Sequence, residues 1–195
     1  MAPPHASFAS RLVLGLCLWL YRLRGWKLVG SRPDLRKCVI VGAPHTSNWD
    51  FIFFLGATHS YGIRPSFLGK HSLFRWPLRR FMLDMGGVPV DRSASRNYVE
   101  QVAAEFARRD DMMLVIAPEG TRSPVPRWRS GFYHIALASG VPIVPAWVDN
   151  ARMEGGLGPP IWPTGDYAAD MARIAAFYDA MMPEHPRLQA IAASA

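Results

Sequence analysis

The sequence predicts an α/β fold: a single domain with a mostly parallel, mixed sheet flanked by helices, preceded by a short N-terminal helix that associates with a membrane. Three observations carry this expectation. Aliphatic runs such as KCVIVG, MMLVIA and VPIVPAWV read as buried strands. Longer stretches with helical periodicity and capping residues separate them, so strands and helices alternate along the chain. The 195 residues are half hydrophobic and 19% charged, which suits one substantial core and excludes a disordered chain.

The elements follow in chain order. Leu12–Tyr21 (LVLGLCLWLY) is apolar, with Arg11 before it and Arg22, Arg24 and Lys27 after it. As a helix it would extend roughly 15 Å, about half of a ~30 Å hydrocarbon core, too short to span alone. A secretory signal does not fit, because basic residues occupy the place where a small-residue cleavage site should lie. Two readings stand: an ordinary buried helix, or one partly sunk in the cytoplasmic leaflet with Trp19, Tyr21 and Trp26 at headgroup depth. Seven basic residues against the single acid Asp34 in residues 1–37 favour the second. Each contributes on the order of 1 kcal/mol near an anionic surface. Residues 1–25 are therefore assigned as a membrane-associated segment and 26–195 as the domain proper.

Gly25–Gly30 reads as a short strand and Lys37–Gly42 as a buried one, with Ser31–Arg36 as the turn between them. Ser47 or Asn48 can cap a helix through WDFIFFLGATHSYG. Pro65–Gly69 is a strand, Leu73–Met85 a basic, aromatic helix or loop-helix, and Gly87–Val90 a short extended piece. Ser93 or Ser95 opens an amphipathic helix with Tyr98, Val102 and Phe106 at i, i+4 and i+8. A strand at Asp111–Ala117 precedes a helix over Gly131–Ser139 that ends at Gly140. Ile143–Val148 is another strand, Gly155–Gly165 a loop, and Tyr167–Met182 a last helix stopped by Pro183.

The net charge is +7, and the basic residues are arginines apart from Lys27, Lys37 and Lys70. Arginine grips phosphate or carboxylate with a planar fork, so the composition points to an anionic partner: a phospholipid surface, a phosphorylated substrate or nucleic acid. No nucleic-acid module, P-loop or GxGxxG occurs. The six histidines lack HxxxH and HExxH spacing, so no metal site is expected. Cys17 and Cys38 make neither a disulfide scaffold nor a CxxC pair, which suits a reducing compartment.

In open α/β sheets, ligands bind at the carboxyl ends of strands. Three polar clusters fall there: His45–Asp50, Asp91–Arg92 and Glu119–Arg122. On one continuous helix, His45 and Asp50 would point about 140° apart. They meet only if His45 sits on the turn before the helix and Asp50 within its first turn, which Pro44 and the capping residues permit. The pair then reads either as a structural cap or as a base whose tautomer the carboxylate fixes. Glu119, Gly120, Thr121 and Arg122 combine close backbone approach, a hydroxyl and a guanidinium, as a phosphate would need; the other reading is a polar loop whose Glu and Arg pair. Arg92 adds a further cation, or a surface salt bridge.

Four segments in this order, HTSNWD, GVPVDR, PEGTRS and VPIVPAW, resemble the motifs of the glycerolipid acyltransferases, especially the 1-acylglycerol-3-phosphate acyltransferases, over residues 26 to 150. Pro44 stands where that family often has Asn, and Ala117 where an aromatic is common. The resemblance implies that His45, oriented by Asp50, is the general base on the free hydroxyl of a lysolipid acceptor. The acyl group then moves directly from acyl-CoA or acyl-carrier protein, with no cofactor and no acyl-enzyme. Glu119, Gly120, Thr121 and Arg122 would hold the acceptor's phosphate, helped by Arg92, and Pro142–Pro145 would line the acyl side. Lysophosphatidic acid is the default acceptor. Another lysolipid head group, such as an amino-acid-containing one, or a non-catalytic lipid-binding protein are the alternatives. The expected place of work is the cytoplasmic face of the inner membrane, with the protein peripheral or monotopic on anionic lipid.

Overall fold

Three aliphatic runs become the middle of a seven-stranded sheet. The structure is a computed structural model that describes residues 7–70, 74–90, 98–192 and 194. Its strands are β1 (Lys27–Val29), β2 (Lys37–Ala43), β3 (Pro65–Lys70), β4 (Gly87–Val90), β5 (Met112–Ile116), β6 (Ile143–Asp149) and β7 (Glu154–Leu157). They lie in the order β1-β7-β6-β2-β5-β3-β4. From β6 to β4 all neighbours are parallel. β7 runs antiparallel to β6, and β1 parallel to β7, so the sheet is mixed at one end.

The helices are α1 (Phe8–Arg24), α2 (Trp49–Ser60), α3 (Arg79–Asp84), α4 (Tyr98–Arg108), α5 (Gly131–Ser139), α6 (Tyr167–Met181) and α7 (Gln189–Ala192). The period-2 alternation of strand side chains sorts them into two layers. Val39, Val41, Leu114 and Ile143 face a large core with Phe106 of α4, Phe132 and Ile135 of α5, and Ile174 and Tyr178 of α6. Cys38, Ile40, Met113 and Val144 face the other way. On that side the cover is thinner, with smaller clusters built on α1 and α2. The central strand β2 is buried on both faces, as its unbroken aliphatic run requires.

α1 has two unlike faces. Leu14, Cys17 and Tyr21 are buried against α2, while Phe8, Leu12, Leu16, Trp19 and Leu23 are more than half exposed. Gly56 lets the two helices close up, since a Cβ there would lie 2.1 Å from the Tyr21 ring. Ser7 and Ser10 at the start of α1 donate to the buried carboxylate of Asp84 at 3.0 and 2.8 Å, which ties α1 to α3. Among the described residues, no helix is long and apolar enough to cross a membrane.

Three details depart from the sequence expectation. Ser31–Arg36 does not turn between paired strands, because β7 and β6 separate β1 from β2. The stretch from Gly155 begins as strand rather than loop: EGGL lacks β-branched residues, yet a Cβ on Gly156 would lie 2.0 Å from the Val29 carbonyl oxygen, so only glycine fits between its neighbours. The basic aromatic segment, described from Phe74, is a loop followed by the short helix α3, the second of the two forms expected of it. α7 follows Pro183 where no element was expected. The predicted helix start at Ser93 or Ser95 lies outside the described residues, and α4 is described from Tyr98.

Candidate active site

The carboxyl end of β2 delivers Pro44 and His45 to the rim of the sheet. The chain then turns into α2, whose first turn holds Asp50. His45 therefore sits before the helix, not on it, and its Nδ1 lies 3.2 Å from Asp50 Oδ2. The same oxygen accepts the backbone N–H groups of Thr46 and Ser47 at 2.6 and 2.8 Å. The sequence left open whether this carboxylate is a cap or a partner for the imidazole; it is both. Ser47 rather than Asn48 supplies the side-chain cap, its Oγ accepting the Trp49 N–H at 2.9 Å.

The second oxygen of Asp50 accepts from Asn150 Nδ2 at 2.8 Å. Burial pushes the Asp50 carboxyl up, but the hydrogen bonds from His45, Ser47, Asn150 and Thr46 outweigh it and hold the group below its ordinary value. An ionised Asp50 is an acceptor only, so the ring tautomer that fits it carries its hydrogen on Nδ1 and donates it to the carboxylate. That leaves Nε2 as the basic nitrogen.

Asn150 was missed by the sequence reading. It follows β6 directly, so the rule that drew attention to polar residues after β2 and β5 could have found it. Replacing it with alanine removes one of the bonds that steady Asp50. Turnover should fall roughly 3- to 10-fold, the effect of losing a single net hydrogen bond. Steady-state kinetics of Asn150→Ala, with the melting temperature as control, would check this.

Glu119 follows β5 and is 1% exposed. Its Oε2 accepts the backbone N–H of His45 at 2.9 Å. Burial raises the pKa of this carboxyl, opposed by the His45 bond and by the charge of Arg187. Its described contact thus supports His45 from beneath, and the open side of the loop belongs to Gly120, Thr121 and Arg122, which are exposed. Among the described residues no ion pair joins Glu119 to Arg122. Gly120 has φ 67°, and a Cβ there would approach Arg129 Nε to 3.0 Å, so the loop carries a second guanidinium against its glycine. Arg92 lies outside the described residues.

His45, Asp50 and Arg122 share the lining of one cavity of about 400 Å³. Most of its wall is apolar, with Phe51, Phe53 and Phe54 from α2, Ile40 from β2 and Phe67 from β3. From β6 the wall takes Ala146, Trp147 and Val148, the residues just beyond the Pro142–Pro145 stretch expected to line it. Both cysteines are buried, and burial pushes the Cys38 thiol up to about 12, so neither is poised as a nucleophile. Among the described residues no three His, Cys, Asp or Glu side chains converge as a metal site. The arrangement offers a base held by a carboxylate, a nearby cation and an apolar chamber.

Comparison with known proteins adds to this geometry. A profile of the family described as acyltransferase matches residues 29–149. A 1-acyl-sn-glycerol-3-phosphate acyltransferase of Limnanthes douglasii is 27% identical over 144 residues, 70% of this chain and 49% of that protein. The protein of that name from Haemophilus influenzae is 29% identical over 139 residues, 65% of this chain and 55% of that one. The one from Saccharomyces cerevisiae is 32% identical over 132 residues, 64% and 43% of the two chains. The chain thus spans about half the length of the curated relatives it matches. The crystal structure of the 1-acyl-sn-glycerophosphate (LPA) acyltransferase PlsC from Thermotoga maritima superposes with a TM-score of 0.61 at 19% identity, covering 91% of this chain and 83% of that one. At that identity the likeness is one of fold.

Proposed function

This chain belongs to the acyltransferase family, and from that premise we propose that it transfers a fatty acyl group from acyl-CoA or acyl-carrier protein to the free hydroxyl of a lysolipid, with 1-acyl-glycerol-3-phosphate as acceptor and phosphatidic acid as product. The single observation that carries the reading is the His45–Asp50 pair opening onto an apolar cavity whose lining also includes Arg122. With Nδ1–H donated to Asp50, Nε2 of His45 accepts the hydroxyl proton as the acceptor oxygen attacks the thioester carbonyl. The C–O bond forms, the C–S bond breaks, and the imidazolium returns its proton to the departing thiolate. The thioester is already activated, so the protein's part is mainly positioning. The acyl chain occupies the cavity, where each buried methylene contributes about 0.8 kcal/mol. Glu119 fixes the backbone of His45. Gly120, Thr121 and Arg122 receive the phosphate, and Arg92 is proposed to contribute a further cation to it.

We propose that this chemistry runs at a lipid surface, as an acceptor with a lipid tail requires, and the exposed apolar stripe of α1 supports that reading. Leu12, Leu16 and Trp19 enter the leaflet while Arg11, Arg22 and Arg24 meet anionic headgroups, at the cytoplasmic face of the inner membrane.

The decisive experiment incubates the protein with labelled acyl-CoA, or acyl-carrier protein, and a panel of lysolipids, and identifies the product by mass spectrometry. Vesicle binding with no donor consumed would make the chain a lipid-binding protein instead. Within this scheme Arg122→Ala should raise the acceptor KM roughly 10- to 100-fold, the weight of a charge-assisted hydrogen bond, with a much smaller change in kcat. An unchanged KM for a phosphate-bearing acceptor would move the headgroup site elsewhere.

A further inference from the structure

The loop that carries Arg122 is held from behind by a part of the chain beyond residue 149, where the family match ends. Arg187, between α6 and α7, donates from Nη2 to the Arg122 carbonyl. Nearby in sequence, Ser194 Oγ accepts the Trp128 N–H at 2.7 Å, so the C-terminal segment meets the loop at two points. Arg187 Nη1 and Glu119 Oε1 are both shielded from solvent and have no hydrogen-bond partner among the described residues. They carry opposite charge, and the charge of Arg187 acts on Glu119. A guanidinium is suited to this double duty, because its planar fork can bond a carbonyl with one nitrogen and present charge to a carboxylate with the other. It bonds the backbone of Arg122, and its charge acts on the carboxylate that accepts the His45 N–H.

We infer that Arg187 is a positioning residue of this site: it sets the course of the Glu119–Arg122 loop, and through that loop the placement of Arg122 against the acceptor's anionic head. The inference rests on the acyltransferase reading for its kinetic consequence but not for its structural one.

The two parts are tested separately with Arg187→Ala and Arg187→Lys. The first readout is limited proteolysis by trypsin, which cleaves after Arg122 only when that carbonyl is free to enter the protease. In the alanine variant, cleavage at Arg122–Ser123 should accelerate at least about tenfold, matching the loss of a hydrogen bond from a charged donor, with cleavage after other arginines unchanged. The lysine variant should stay near wild type. The second readout is steady-state kinetics. The alanine variant should raise the acceptor KM about tenfold and leave the donor KM unchanged, and lysine should restore most of the loss. Wild-type values for cleavage and for the acceptor KM in Arg187→Ala would overturn the inference. So would a uniform rise in cleavage at every site together with both KM values, which would mark a general loosening. Should the wild-type protein turn over no lysolipid, the proposed function fails, and the site-specific cleavage still decides whether Arg187 holds the loop.

Discussion

Replacing His45 with alanine is expected to lower kcat by roughly 10²- to 10⁴-fold, the usual contribution of a positioned general base. The fold should survive the change. The imidazole lies on a turn at the rim of the sheet and its side chain is 29% exposed. The bond from its backbone N–H to Glu119 persists in any variant other than proline. Asp50 loses one partner but keeps the N–H groups of Thr46 and Ser47 and the amide of Asn150, so no buried carboxylate is left alone. Asp50→Ala would be a poorer test, because it strips four donors of their acceptor, the His45 ring, the N–H groups of Thr46 and Ser47 and the amide of Asn150, and damages fold and chemistry together. Initial rates with both substrates saturating, alongside melting temperature and vesicle binding, separate the two effects. Turnover within about threefold of wild type would remove His45 as the base.

The parts of the fold that could be read in advance are those whose signal is local. β2, β5 and β6 are aliphatic runs buried by their neighbours. The helix of Tyr98, Val102 and Phe106 turns the last two into the core, as their spacing requires. Gly140 ends α5 with φ 61°. What resisted reading depends on residues distant in sequence. β7 is a strand because its glycines admit the backbones of β1 and β6 on either side, and nothing in EGGL announces those partners. The Leu12–Tyr21 run within α1 looks uniformly apolar as a string, and only contact with α2 divides it into a packed face and an open one.

The site divides along the same line. His45 and Asp50 are five residues apart, so helix geometry and capping defined the one local arrangement in which they could meet. Glu119 reaches the His45 backbone across 74 positions and Asn150 reaches Asp50 across 100. A carboxylate beside Gly-Thr-Arg reads naturally as part of an anion site. Its actual partner is a backbone N–H on a neighbouring strand's loop, which has no side-chain signature to search for.

The open face of α1 should yield the other large effect. Leu12→Ser, Leu16→Ser and Trp19→Ser together are expected to lower partitioning onto anionic vesicles roughly 10³-fold. The three side chains are 66%, 57% and 58% exposed. Burying that much of a leucine or tryptophan in lipid contributes between one and two kcal/mol each, about 4 kcal/mol in sum. The arginines attract anionic lipid as well, but that attraction is screened as salt rises, so the loss is measured at high salt, where the apolar contribution dominates; Arg24 in addition packs over the Trp49 ring at 4.1 Å. Substitution is a sharper test than removing residues 1–24. Deletion would take away Leu14, Cys17 and Tyr21 and uncover the α2 residues they pack against, exposing new apolar surface that could itself bind lipid. The triple variant leaves that packed face intact, so its melting temperature should hold while flotation with vesicles is lost. Turnover of a monomeric, detergent-dispersed acceptor should then persist while turnover of a vesicle-borne acceptor falls. Partitioning equal to wild type would show that α1 is a packing helix with an apolar outer face and no part in bringing the enzyme to its substrate.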